Sequence, residues 1–145
     1  MTDGLLTVSE VYSLTLRNDR AELARMAPWI DDVIARLGVA AGTAHALHLC
    51  LEEAVVNVVD YAFEPDTSHD VHIALWRDDA AMHAEVIDDG RPFDPLSYSL
   101  PGAPNDLKSA EIGGLGIKLM RSYAARVDYQ RSGKTNRLVL SFPAE

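Results

Sequence analysis

The sequence predicts an α+β fold, a two-layer sandwich in which a mostly antiparallel, mixed sheet is covered on one face by three helices. Three observations carry that prediction. Short runs with apolar residues at alternate positions, joined in pairs by polar turns, read as β-hairpins. Longer runs with apolar residues every three or four positions read as amphipathic helices. Placed along the chain these give the order β-α-α-β-β-α-β-β, which fits a sheet with its helices on one side. The length of 145 residues is about that of one domain with a single sizeable core.

Taken in order, residues 5–17, LLTVSEVYSLTLR, contain alternating and β-branched apolar positions and read as an edge strand. Asn18 and Asp19 are good caps for a helix running to Gly38, with Leu23, Met26, Ile30, Val33, Ile34 and Leu37 on one face. Pro28 inside that helix predicts a kink or a late start. Thr43 is expected to cap a second helix that reaches about Ala62. Val71, Ile73 and Leu75 alternate, Asp78-Asp79 turns the chain, and Met82, Ala84 and Val86 alternate again, which makes a hairpin. A Pro- and Gly-rich segment from Arg91 to about Ile112 has no clear period and reads as a long loop. Residues 115–126 are expected to form the third helix, opened by GGLG, and 127–142 a second hairpin turning at Gly133 to Asn136.

Composition excludes several function classes. With 48% hydrophobic and 24% charged residues the chain has a globular and not a disordered composition. No apolar run approaches the roughly 20 residues of a membrane helix, and the opening MTDGLLTVSE lacks the features of a signal peptide, so a cytoplasmic location and no membrane partner are expected. Cys50 is the only cysteine, so neither an internal disulfide nor a cysteine–histidine zinc set can form. The five histidines lack metal-ligand spacing, and no structural metal is expected. A net charge of −9 without a basic stripe argues against direct contact with nucleic acid. The same charge leaves a nucleotide ligand open, because a metal ion and local amides can neutralise phosphates.

Three polar motifs interrupt the apolar pattern. In LCLEEAVVNVVDYAF the side chains of Glu53, Asn57 and Asp60 fall together on the arc opposite Leu47, Leu51, Ala54 and Val58. A plain amphipathic helix gives the same pattern. A carboxylate and an amide aligned in this way can also hold a hard cation beside a reacting water or hydroxyl. In VIDDGRPFDP, Asp88 keeps the phase of Met82, Ala84 and Val86, so its carboxylate points toward the helices and requires a partner. The amino group of a purine would serve; an ordinary Asp-Gly turn is the other reading. Gly90 lets the backbone approach closely or adopt a positive φ. In IGGLGIKLMRS, Gly113, Gly114 and Gly116 at a helix start leave amides free for an anion, and Lys118 and Arg121 follow within two turns. Glycine at such junctions also serves packing, and neither the P-loop nor the complete dinucleotide spacing is present.

In series the three motifs are far more specific than singly. EEAVVNVVDYAF, DDGRPFDP and GGLGIKLM resemble the N, G1 and G2 boxes of the GHKL ATPase superfamily, and their tight spacing resembles the bacterial anti-sigma factor serine/threonine kinases. The resemblance covers nearly the whole chain. It implies a Bergerat-type ATP-binding fold with ATP and magnesium (Mg2+) as cofactors. Glu53 would be the general base, Asn57 the metal ligand, and Asp88 the reader of the adenine amino group, with Gly90 giving the base room. Gly113, Gly114, Leu115, Gly116 and Lys118 would hold the phosphates, and residues 96–112 would form the ATP lid. The activity implied is transfer of phosphate to a serine of a small anti-sigma-factor antagonist, in a partner switch that also engages a sigma factor. A non-enzymatic module that binds ATP to sequester a partner is the alternative. Two departures stand out: Tyr61 occupies a place where many members carry His, and Glu111-Ile112 precedes the G2 glycines where kinases often have a basic residue. Monomer and homodimer are both compatible with the sequence.

Overall fold

The computed structural model describes residues 10–92 and 123–144. Among them are β1 (Tyr12–Arg17), α1 (Met26–Leu37), α2 (Ala41–Tyr61), β2 (Asp70–Arg77), β3 (Ala81–Asp88), β4 (Arg126–Ser132) and β5 (Thr135–Pro143). The strands form one sheet in the order β1-β2-β3-β5-β4, and every pairing is antiparallel. The mixed character expected of the sheet therefore has no instance among the described strands. Both predicted hairpins form, with turns at Asp78-Asp79-Ala80 and at Gly133-Lys134, the second tighter than expected. The third helix, expected over 115–126, falls largely outside the described residues. Its expected end is corrected, because Arg126 already opens β4.

Strict alternation puts one row of each strand under the helices. Leu14, Ile73, Val86, Leu138 and Tyr129 are register partners across all five strands. Leu75, Met82, Leu140 and Phe142 from the same face are fully buried against Ile30, Leu47 and Leu51 of the helices. Burying such side chains supplies the dominant favourable term, roughly 1.5–3 kcal/mol each.

The entry to α1 shows how Pro28 is accommodated. The Asp19 carboxylate accepts from the Ala21 N–H at 2.9 Å and caps a 3-10 helix over Arg20–Arg25, and α1 starts only at Met26. Pro28 thus lies in the first turn, where its missing N–H breaks no helical bond. Gly38 ends α1 at φ 65°, a left-handed conformation that suits a residue without Cβ. Arg77 at the end of β2 donates to the carbonyls of Leu37 and Gly38 at 3.0 and 2.9 Å, a cation at the negative end of the helix dipole.

The start of α2 differs from the expectation. The helix begins at Ala41 with no side-chain cap, and Thr43 lies inside the first turn. Its hydroxyl donates across the domain to the Pro143 carbonyl at 2.8 Å, fastening the start of α2 to the end of β5. The buried face of α2 is also broader than the apolar arc read from the sequence. Ala46, Cys50 and Asn57 are buried along with Leu47, Leu51 and Ala54. Asn57, about 60° round the helix from Ala54, belongs to this inner face and not to the outer arc expected for it.

Candidate functional site

The inward phase of β3 ends on Asp88, which is 5% exposed. One oxygen, Oδ1, accepts from the Gly90 N–H at 2.8 Å and from Asn136 Nδ2 at 2.9 Å. The other, Oδ2, accepts no hydrogen bond among the described residues. Burial pushes the Asp88 carboxyl above the ordinary aspartate range, and the bonds from Asn136 and Gly90 pull against that shift. Asp88, Asn57, Ala54, Val58, Tyr129 and Leu138 line one recess between α2 and the sheet. A ligand entering it would meet apolar walls and a carboxylate oxygen with a free lone pair.

Asn136 stands directly opposite Asp88 in the β3–β5 register. Its Nδ2 also reaches the carbonyls of Gly90 at 3.2 Å and Arg91 at 2.9 Å, while its Oδ1 accepts from the Tyr129 hydroxyl and, at 2.9 Å, from Arg131 Nη1. Arg131 donates in addition to the Gly90 carbonyl at 2.8 Å. Asn136, Tyr129 and Arg131 stand outside the three polar motifs of the sequence. One signal was available for Asn136: it sits in phase with Leu138, Leu140 and Phe142, so it is a polar residue on the inward face, as Asp88 is. What no local pattern supplies is the pairing that sets these two rows side by side.

Gly90 serves a close approach. A Cβ there would lie 2.5 Å from the Ala62 carbonyl oxygen and 2.7 Å from the Ala62 Cβ. The contact is closed by the Arg91 N–H, which donates to the same carbonyl at 2.8 Å. Of the two uses expected for this glycine, close approach is the one realised, and it is the end of α2 that approaches. The C-terminus of α2 is therefore bound to the segment that follows Asp88.

Asn57 lies on that helix one turn before Tyr61, 4% exposed, and its Nδ2 has no hydrogen-bond partner among the described residues. A buried amide left in this state costs about 1–3 kcal/mol, so its retention points to a ligand that completes it. A half-turn of the amide would put its oxygen at the same place, which suits a hard cation taking one neutral ligand from the protein. Glu53, one turn earlier, is half-buried. Asp60, whose part the sequence left open, pairs with Arg20 through both oxygens at 3.0 and 2.8 Å and ties the 3-10 helix to α2. The structure thus brings Asn57 and Asp88 to one recess, with Gly90 packed against Ala62 at its edge. Gly113, Gly114, Leu115, Gly116, Lys118 and the lid expected over 96–112 lie outside the described residues.

Residues 16–142 match the model of the histidine kinase-like ATPase domain. The chain belongs to that family. Within it, the chain is 30% identical over 113 residues to the serine/threonine-protein kinase BtrW of Bordetella bronchiseptica, a match covering 78% of this chain and 80% of that protein. Its fold is similar to that of the histidine kinase domain from the blue-light activated histidine kinase of Erythrobacter litoralis, with a TM-score of 0.54 and 20% sequence identity. That match covers 86% of this chain and 60% of the other. The GHKL-type ATPase fold read from the three motifs is therefore the fold of this protein. Among the described residues no helix is long and apolar enough to cross a membrane.

Proposed function

We propose that this ATPase-family domain is an anti-sigma regulatory factor that transfers phosphate from ATP to a serine on a small antagonist protein. The similarity to a serine/threonine-protein kinase over most of both chains carries the kinase half of this reading. The recess supports the ATP half. Asp88 would accept from the adenine amino group at its free Oδ2, while the apolar walls from Ala54, Val58 and Leu138 would hold the base. Asn57 would supply one ligand to magnesium, whose charge would offset that of the phosphates. The amides of Gly113, Gly114 and Gly116 and the ammonium of Lys118 would take the phosphates, as the sequence motif implies. Glu53, one turn from Asn57, would accept the proton of the attacking serine hydroxyl. In the partner switch proposed, the antagonist and a sigma factor compete for the domain, which acts in the cytoplasm and without contacting DNA.

The test is to incubate the purified protein with magnesium and γ-labelled ATP together with candidate antagonist proteins. Label on an antagonist serine is the expected result. ATP and partner binding without transfer to any antagonist would favour the alternative, a binding module that uses ATP only to hold its partner. The acidic and apolar pair Glu111-Ile112 ahead of the G2 glycines is the feature that keeps that second reading in view.

A further inference from the structure

We infer that Asn136 is a specificity-determining residue that restricts Asp88 to one free acceptor, so that the recess takes a base offering a single amino group and rejects guanine. The inference rests on the nucleotide reading above and concerns how that site chooses its base. A carboxylate by itself does not select adenine. Guanine presents its N1–H and 2-amino group side by side, and two free carboxylate oxygens can accept both in a bidentate contact. Adenine presents one amino group flanked by ring nitrogens that only accept. The choice therefore depends on how many oxygens of Asp88 are free.

In this site Oδ1 is filled. It accepts from the Gly90 N–H and from Asn136 Nδ2, and a carboxylate oxygen has about two lone-pair positions to offer. Asn136 cannot release it by turning over. On its nitrogen side stand three acceptors, Asp88 Oδ1 and the carbonyls of Gly90 and Arg91, and on its oxygen side two donors, the Tyr129 hydroxyl and Arg131 Nη1. Reversing the amide would set its oxygen against three acceptors and its N–H groups against the Arg131 guanidinium, and only the Tyr129 hydroxyl could adjust by turning. With Oδ1 closed, guanine loses the parallel two-oxygen contact and must crowd its N1–H and 2-amino group onto one oxygen, while adenine asks of Asp88 only a single bond to Oδ2 and loses nothing.

The experiment is competition of GTP and inosine triphosphate, which lacks the 2-amino group, against labelled ATP on the full chain. The wild type should prefer ATP, and GTP should gain nothing over inosine triphosphate, since no second acceptor awaits the 2-amino group. Asn136→Ala opens a lone pair on Oδ1. In that variant GTP should bind tighter than inosine triphosphate by roughly tenfold or more, the equivalent of one charged hydrogen bond, and the ATP-to-GTP preference should fall. A merely structural role for Asn136 would weaken all three nucleotides alike and leave their ratios unchanged, which overturns the inference. Should Asn136→Ala not fold, the wild type decides alone, because a clear advantage of GTP over inosine triphosphate means that Oδ1 is not closed. Wild-type protein that binds GTP as tightly as ATP overturns this inference alone, whereas wild-type protein that binds none of the three nucleotides sinks the nucleotide reading itself.

Discussion

A buried amide N–H group without a partner lowers stability by about 1–3 kcal/mol, and among the described residues Asn57 Nδ2 is in that state on the inner face of α2. Leucine has the branching of asparagine, is somewhat larger in a place where the adjoining recess leaves room, and has no polar group to satisfy. We expect Asn57→Leu to stabilise the nucleotide-free protein by about 1 kcal/mol, raising Tm by about 3–5 °C, and to abolish the further rise produced by magnesium and ATP. Thermal melts with and without the nucleotide check both halves; a variant that melts lower yet keeps the nucleotide effect removes Asn57 from the site. Asp88 carries a related conflict. Its folded-state pKa is raised by burial above the unfolded value of about 3.9, so it favours the folded state most when protonated. That contribution is full below the unfolded pKa and is lost as pH rises through the folded one. Asp88→Asn keeps an oxygen for Gly90 and Asn136 but never ionises. It should therefore raise Tm more at pH 7 than at pH 4, while weakening ATP binding by presenting an N–H donor to the adenine amino group. Melting curves that give the same difference at both pH values would contradict this account.

At the scale of elements, the site depends on α2 being held at both ends: Thr43 binds Pro143 at its start, and Ala62 meets Gly90 and Arg91 at its finish. Gly90→Ala would drive a methyl group into the Ala62 backbone at 2.5 Å and force helix and strand end apart. Such overpacking costs about 1–3 kcal/mol, and it would also shift the Gly90 carbonyl that Asn136 and Arg131 hold. Chemical denaturation should show that loss together with weaker ATP binding; unchanged stability would mean that the contact yields without strain. These fastenings mark the limit of what the sequence discloses. Alternation located β2, β3 and β5, and phase alone turned Asp88 inward, because a period of two leaves no other face. Helical phase was less decisive for Asn57: an arc drawn from the largest apolar residues omitted Ala46 and Cys50 and so placed the amide outside. Thr43 has the chemistry of a cap, and its actual acceptor lies 100 residues away on β5. Asn136 likewise meets Asp88 across 48 residues, through a register fixed only when the sheet assembles. Contacts of that range carry no local signature.

For the molecule as a whole, the proposed function makes nucleotide binding and phosphoryl transfer separable, because they would draw on different groups. A nucleotide that binds only the folded chain stabilises it by RT ln(1 + [L]/Kd), about 2.7 kcal/mol at a hundredfold excess over Kd, whatever chemistry follows. Transfer depends in addition on a base that matters in the transition state and little in the ground state. Glu53 is the group proposed for that role. It is half-buried one turn before Asn57, and it is not among the side chains that line the recess with Asp88. Glu53→Gln retains size and shape and removes the basicity. Its melting temperature with magnesium and ATP should match that of the wild type, and so should its hold on the sigma factor proposed as its partner. Phosphorylation of the antagonist should fall by the roughly 10²–10⁴-fold that loss of a general base brings. If the thermal shift vanishes together with the activity, Glu53 belongs to nucleotide binding and not to proton transfer. If both survive, the base lies elsewhere in the chain.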